Sequence, residues 1–406
     1  MRDELSGYYR PDGSVGVRNH VIIVPTVICS SYVARQIAQQ APGAIALEHN
    51  RGCGQFGVDL DATVRTLTGI IENPNVYGAL IVGLGCETLN SHSLYSHLDP
   101  QDKPILRLDI QNVRGGTTAT VDAGVKLVKD LLDGAHDLKR EPFDLSHLIV
   151  GTECGGSDAI SGITANPAVG LVADRIVEAG GTVILPEMME WTGTEGLLLD
   201  RMVDETVKQQ FTEIFTFGLE RFAASGIDLR GINPTPGNIA GGLSTIEEKS
   251  LGTVIKGGSS PIQGILRYAE KPSGKGLWLM FEPGYDVASM NAMAAAGAQI
   301  LLMTTGRGSP TGIPIAPVIK VCGHPQTCEW MQGNIDVDAS QIIVKGASVA
   351  DVGQDVWQCV RRTCNGQLTA AEQGGHREFD IWQFPHQLHL VFTEIEQRLA
   401  KLKQPS

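Results

Sequence analysis

The sequence predicts an α/β protein made of two doubly wound, mostly parallel-sheet domains, with the functional site at the carboxyl ends of the strands. Three observations lead there. Apolar, β-branched runs alternate with amphipathic helical stretches, the pattern of sheets covered by helices on both faces. Most of those runs are apolar throughout, as strands buried on both faces must be. The 48 glycines among 406 residues exceed the usual ~7% and gather in short clusters just after the apolar runs, where ligand-facing turns are expected.

Taken in order, strands are predicted over residues 20–27, 44–47, 79–82, 105–108 and 147–150, then 182–185, 277–281, 299–304 and 316–321. Helices are predicted over 32–40, 59–71, 120–132 and 167–179, the last stopped by Gly180-Gly181. The polar stretch 133–143, which holds a proline, separates two apolar strands. It divides the chain into an N-terminal α/β domain over 1–140 and a C-terminal α/β domain over 141–406, with a subdivision near 230–260. Residues 334–375 are poorly patterned, and 388–403 read as a closing amphipathic helix.

The composition excludes several functions. A formal charge of −13 and the lack of a basic stripe argue against nucleic-acid binding. No apolar run approaches the ~20 residues of a membrane span, and the opening residues lack the apolar segment of a signal peptide. A cytoplasmic location is expected. In that setting eight cysteines are thiols or metal ligands rather than disulfides. The GxGxxG, P-loop, GxSxG and HExxH patterns are absent, which removes the sequence support for nucleotide binding and serine hydrolysis.

Four cysteines carry the functional argument. Cys29, Cys53, Cys86 and Cys154 each follow a predicted strand, with glycines beside three of them. Loops at the carboxyl edge of a parallel sheet can converge on a ligand. Glu87 and Glu153 adjoin two of these cysteines, and His49 lies four residues before Cys53. Thiolate, imidazole and carboxylate suit Fe2+ or a related ion. Three cysteines could instead hold an iron–sulfur cluster with an open iron. The competing reading is four buried thiols acting as small hydrophobes, which is the favoured one for Cys322, Cys328, Cys359 and Cys364.

Other clusters offer substrate contacts. Gly155, Gly156, Ser157 and Asp158 lie between a strand and a helix start that could hold a carboxylate, or form an ordinary capped turn. Glu190, with Glu187 and Glu195, follows a strand and could act as a base, or could favour a helix dipole. Asn238 lies in a glycine-rich loop, followed by Lys249 and Lys256, which could stabilise an oxyanion or be solvated. Arg307, between glycines, suits bidentate carboxylate binding.

The segments GYYRPDGSVGVRNHVIIVPTVIC, NRGCGQ, GLGCE, GTECGGSDAISGITANPAVG, NPTPGNIAGG, EEKSLG, PGYDVASMNAMAAAGAQ and TTGRGSPTG resemble the altronate/galactarate dehydratase family, in order from residue 7 to 317. The resemblance implies an iron- or manganese-dependent lyase. It would take the proton alpha to a carboxylate of a small hydroxy acid and expel a beta hydroxyl. A related branch expels sulfite from sulfolactate. The family pattern falls on His49, Cys53, Cys86, Glu87, Glu153 and Cys154, with Glu190, Lys249, Lys256 and His49 as candidates for acid–base work. Only six residues precede the first motif, so the small N-terminal domain of the fused enzymes is expected as a separate subunit, and self-association is expected too. Ile239 stands where altronate enzymes tend to carry a lysine.

Overall fold

In a computed structural model, residues 5–99, 103–224, 226, 228–282, 284–383 and 389–403 are described. The strands are β1 Leu5–Tyr9, β2 Val15–Gly16, β3 His20–Pro25, β4 Ala44–Ala46, β5 Val76–Gly83, β6 Ile105–Asp109 and β7 Glu141–Phe143. They continue as β8 Ile149–Cys154, β9 Thr182–Leu185, β10 Ile262–Leu266, β11 Gly276–Met280, β12 Ile300–Thr305, β13 Val318–Cys322 and β14 Val337–Asp338. One parallel sheet has the order β4-β3-β5-β6, and a second has the order β10-β11-β9-β8-β12-β13-β14. The α/β reading is correct.

The main helices are α1 Ile28–Gln40, α2 Gly57–Glu72, α3 Gly116–Asp137, α4 Ala165–Glu178, α5 Glu205–Ala224, α6 Ile246–Ile255, α7 Asp286–Ala295, α8 Val349–Cys364 and α9 His389–Leu402. Strand alternation explains the layering. Val21 and Ile23 of β3 face α1 and α3. Ile22 and Val24 face the other way, into a core shared with α2, α7 and the second sheet's Ile184, Leu301 and Met303. Leu302, Val183 and Leu277 point to the far side, toward α4, α5 and α8. Two sheets therefore sandwich a common helical layer.

That layer sets where the strand ends lie. The α2 and α7 backbones almost touch, since a Cβ on Gly69 would sit 2.2 Å from the Ala295 carbonyl oxygen. Asn73 Nδ2, just past α2, donates to the carbonyls of Ala294 and Ala298 at 2.7 and 2.9 Å. The carboxyl ends of the two helices are thus held together.

Three features differ from the sequence reading. Residues 133–143 are helix to Asp137 and then β7, which pairs antiparallel with β1, itself paired with β2. Strands this short carry no legible period. The stretch 334–375 contains α8, capped by Ser348 and Asp351 in a reciprocal box. This helix buries Val352, Val356, Trp357, Val360 and Cys364 along one face. The closing helix is α9; residue 388 lies outside the described residues.

Candidate active site

The carboxyl edge of the seven-stranded sheet gathers the substrate-contact candidates. The loop after β8 carries Gly155, Gly156, Ser157 and Asp158. The Gly156 carbonyl accepts from the amides of Gly306 and Arg307 at 3.1 and 2.8 Å. Asn238 Nδ2 donates to the Ser157 carbonyl at 3.0 Å. Asp158 Oδ1 accepts from the Ser161 amide at 2.7 Å, while its buried Oδ2 meets no donor among the described residues. The Arg307 side chain is exposed. Three loops distant in sequence thus meet around Gly156, as sharing one sheet edge requires.

Beneath them lies a buried ionic cluster. Cys154 Sγ sits 3.4 Å from Glu187 Oε1, 3.8 Å from Glu190 Oε2 and 3.6 Å from Thr253 Oγ1. Lys249 Nζ is 2.5 Å from Glu190 Oε1 and donates to Asn233 Oδ1 at 3.0 Å. Thr253 donates to Glu190 Oε2 at 2.6 Å. The Lys256 ammonium, fully buried, pairs with Glu187. These residues come from β8, the turn after β9, and α6. Glu187 holds a positive φ of 74°, a sparsely populated conformation that turns its side chain back toward Lys256.

The electrostatics follow from burial. It pushes the Cys154 thiol up to about 12, reinforced by the Glu187 carboxylate. Burial, then Glu187, raises Glu153 well above the ordinary range, and neither Glu153 oxygen has a donor among the described residues. Glu282 rises to about 8, again mainly through burial. Burial alone would lower both lysines, but the carboxylates outweigh it: Glu190 for Lys249, and Glu187 with the Cys154 sulfur for Lys256. Both lysines are therefore ammonium groups at neutral pH, suited to stabilise an oxyanion rather than to abstract a proton.

Cys154, Glu187 and Glu190 place ligand atoms within 4.8 Å of one another. Two ammonium groups, Lys249 and Lys256, already pair with the two carboxylates there.

The other candidates lie across a cleft, on the four-stranded sheet. Cys29, Cys53 and Cys86 are exposed, whereas Cys154 is buried. Glu87 accepts from Thr26 Oγ1 at 2.5 Å and from the amides of Gly85 and Leu84 at 2.6 and 3.0 Å. Burial alone would raise its carboxyl, but these donors hold it below the ordinary value. These bonds tie the turn at Thr26 to the turn at Leu84 and Gly85. His49 Nε2 pairs with the Pro25 carbonyl at 2.7 Å and Nδ1 accepts from the Arg51 amide at 3.1 Å. Burial lowers it to about 4. Both nitrogens of His49 are thus engaged within the chain.

The cleft, about 530 Å³, is lined by Ile28, His49 and Asn50 on one side and by Tyr285, Val287, Phe379 and Asp380 on the other. Asp286, between Tyr285 and Val287, packs against Gly155. Burial raises its carboxyl, and Glu190 adds to the shift. Sequence reasoning missed Thr253, Glu282 and Asp286. Asp286 begins α7, where an acidic residue reads as a dipole partner.

Residues 7–136 match the family described as D-galactarate dehydratase/Altronate hydrolase, second domain, and residues 145–386 match D-galactarate/Altronate dehydratase, C-terminal. The chain is 38% identical to the (2R)-sulfolactate sulfo-lyase subunit beta of Chromohalobacter salexigens, over 92% of this chain and 95% of that protein. It is 36% identical to the altronate dehydratase of Bacillus subtilis, over 93% of this chain and 77% of that one. To the galactarate dehydratase (L-threo-forming) of Escherichia coli it is 32% identical, over 93% and 76%. By these matches the chain belongs to the D-galactarate/altronate dehydratase family of lyases.

Proposed function

We propose that the protein removes water from a sugar acid of the altronate or galactarate type. The observation that carries this reading is the pair of buried lysine–glutamate ion pairs at the carboxyl edge of a parallel sheet, beside loops built for a carboxylate. Arg307 and the Gly155-Gly156 turn hold the substrate carboxylate. Glu190 takes the proton alpha to it, and the Lys249 charge stabilises the enolate-like oxyanion that results. The electron pair released at the alpha carbon forms the double bond as the beta hydroxyl leaves. Asp286, whose carboxyl holds its proton more tightly than usual, supplies the proton that makes the leaving group water.

Iron or manganese completes the proposal; when bound, it draws charge from a substrate oxygen. The exposed thiols Cys29, Cys53 and Cys86 suit iron, the softer partner, better than the lysine-filled cluster at Cys154 does. The near-complete span of the sulfo-lyase subunit favours a second reading, expulsion of sulfite from sulfolactate by the same residues. That relative's name as a beta subunit supports a partner subunit for this chain as well.

The test is turnover of altronate, galactarate and sulfolactate by the metal-loaded protein, with sulfite measured separately. In E190Q, kcat should fall by about 10²–10⁴-fold with folding unchanged. Near-normal turnover in E190Q would remove Glu190 as the base, and sulfite release would select the second reading.

A further inference from the structure

We propose that Cys322 and Cys328 form a redox-active dithiol that exchanges with a small zwitterionic disulfide of the glutathione type, and that its closure into an internal disulfide is felt at the Arg307 loop. The site goes beyond the lyase reading and stands without it.

The two sulfurs face one turn. Cys322 ends β13, and Cys328 lies in the short helix Pro325–Trp330 that follows. Cys328 Sγ is 3.5 Å from the Cys322 carbonyl oxygen, and Cys322 Sγ is 3.7 Å from the carbonyl oxygen of His324. The two thiols also hydrogen-bond to each other. That bond lowers Cys322, against the opposing effect of burial. The same bond raises Cys328, with burial and the Asp338 carboxylate adding to it. A thiol donating to a neighbouring sulfur is the arrangement that makes a dithiol reactive.

The pair opens to solvent at Cys328. Cys322 has no exposed surface, whereas Cys328 is partly exposed. Cys328 lines a cavity of about 440 Å³ with Glu329, Gln332, Asp338, Gln341 and Lys345. That volume falls in the range of small-molecule pockets. The walls carry both signs of charge, which suits a ligand bearing carboxylates and an ammonium group. Free cysteine is most often a buried small hydrophobe, and Cys328 departs from that pattern.

The exchange balances without any further reagent. Cys328 attacks one sulfur of the incoming disulfide as its proton passes to Cys322, and the other half leaves as a thiolate. That thiolate takes the proton from Cys322. The Cys322 thiolate then attacks the Cys328 sulfur, the mixed disulfide breaks, and the second half leaves. The dithiol is oxidised by two electrons, and the small disulfide is reduced to two thiols.

Packing carries the change to the Arg307 loop. A disulfide holds its sulfurs about 2.0 Å apart, closer than a hydrogen bond allows, so the short helix must move toward the end of β13. Its Thr327 and the adjoining Met331 already crowd that loop. A Cβ on Gly308 would lie 2.1 Å from Met331 Sδ and 3.0 Å from Thr327 Cγ2. The turn is tied to the same loop, because the Gly323 amide donates to the Thr305 carbonyl at 2.9 Å and the Gly308 amide donates to Thr305 Oγ1 at 2.9 Å. A shift of the helix therefore reaches Gly308, and with it Arg307.

The experiment treats the reduced full chain with oxidised glutathione, blocks remaining thiols with iodoacetamide, and maps the products by peptide mass spectrometry. The wild type should yield a linked Cys322–Cys328 peptide. C322S should stop at a glutathione adduct on Cys328, and C328S should leave Cys322 free for alkylation after unfolding. Amide hydrogen exchange over residues 304–312 should change by about threefold or more on oxidation of the wild type, and not in the C322S/C328S double variant treated alike. A wild type without the linked peptide overturns the dithiol, as does a glutathione adduct on Cys322 in C328S. A linked peptide with unchanged exchange over 304–312 overturns the coupling to Arg307. Neither readout involves turnover, so a protein inactive on every sugar acid would reject the lyase proposal and leave this one standing.

Discussion

Glu282 shows how a single buried group makes stability depend on pH. Its side chain accepts from the Ser289 hydroxyl and the Gly284 amide, and its Oε1 meets no donor among the described residues. Burial raises its carboxyl from 4.5 to about 8. Between those values the folded chain keeps a proton that the unfolded chain has lost. The resulting stability is full below the unfolded value and is lost as pH rises through the folded one, at no more than about 1.4 kcal/mol per pH unit. E282Q should remove this dependence. Denaturant midpoints measured from pH 5 to 8 should converge between wild type and E282Q at the low end and diverge in the variant's favour at the high end; parallel curves would reject the assignment. Legibility at this scale was uneven. Glu190 and Arg307 were legible as residue types after strands, and Lys249 and Lys256 as cations following a glycine-rich loop. That both lysines stay charged, and that His49 is tied up at both nitrogens, depends on neighbours remote in sequence.

At the scale of elements, α2 and α7 pack backbone against backbone. Gly69 has no room for a methyl group against the Ala295 backbone, and backbone cannot swing aside as a side chain can. G69A should separate the two helices and cost about 1–3 kcal/mol, read as a lower thermal midpoint; an unchanged midpoint would mean that the helices slide freely. The same change should loosen the cleft, because Tyr285 and Val287 move with α7. Long apolar strands and their following helices were legible because burial on both faces leaves an uninterrupted apolar run. The short β1, β2 and β7 were not, since two to five residues cannot display a period. The helix α8 is strongly two-faced, so its period was there to be read, and only the low apolar content of 334–375 as a whole obscured it.

Across the whole molecule, Asn73 and Asn75 fasten the two sheets together. Asn75 Oδ1 accepts from the Val17 and Arg18 amides, while Nδ2 donates to the carbonyls of Gln299 and Ile315 at 2.8 and 2.9 Å. N75A would leave these buried groups unpaired, at roughly 1–3 kcal/mol each. A loss of about 3 kcal/mol or more in chemical denaturation is the expected result, and a loss under about 0.5 kcal/mol would show that the sheets hold together without it. Among the described residues, no helix is long and apolar enough to cross a membrane. The sequence by itself determined the α/β class, the strands with their glycine- and cysteine-bearing turns, and the family, because periodicity and motifs are local properties of the chain. Only the tertiary structure decided that Cys29, Cys53 and Cys86 are exposed while Cys154 is buried. It also decided that Cys154 lies among ion pairs while the other three face outward. The reason is physical: which strand ends share an edge depends on strand order and on the shared helical layer, and whether a thiol is buried or exposed depends on what packs over it, neither of which is written in residue spacing.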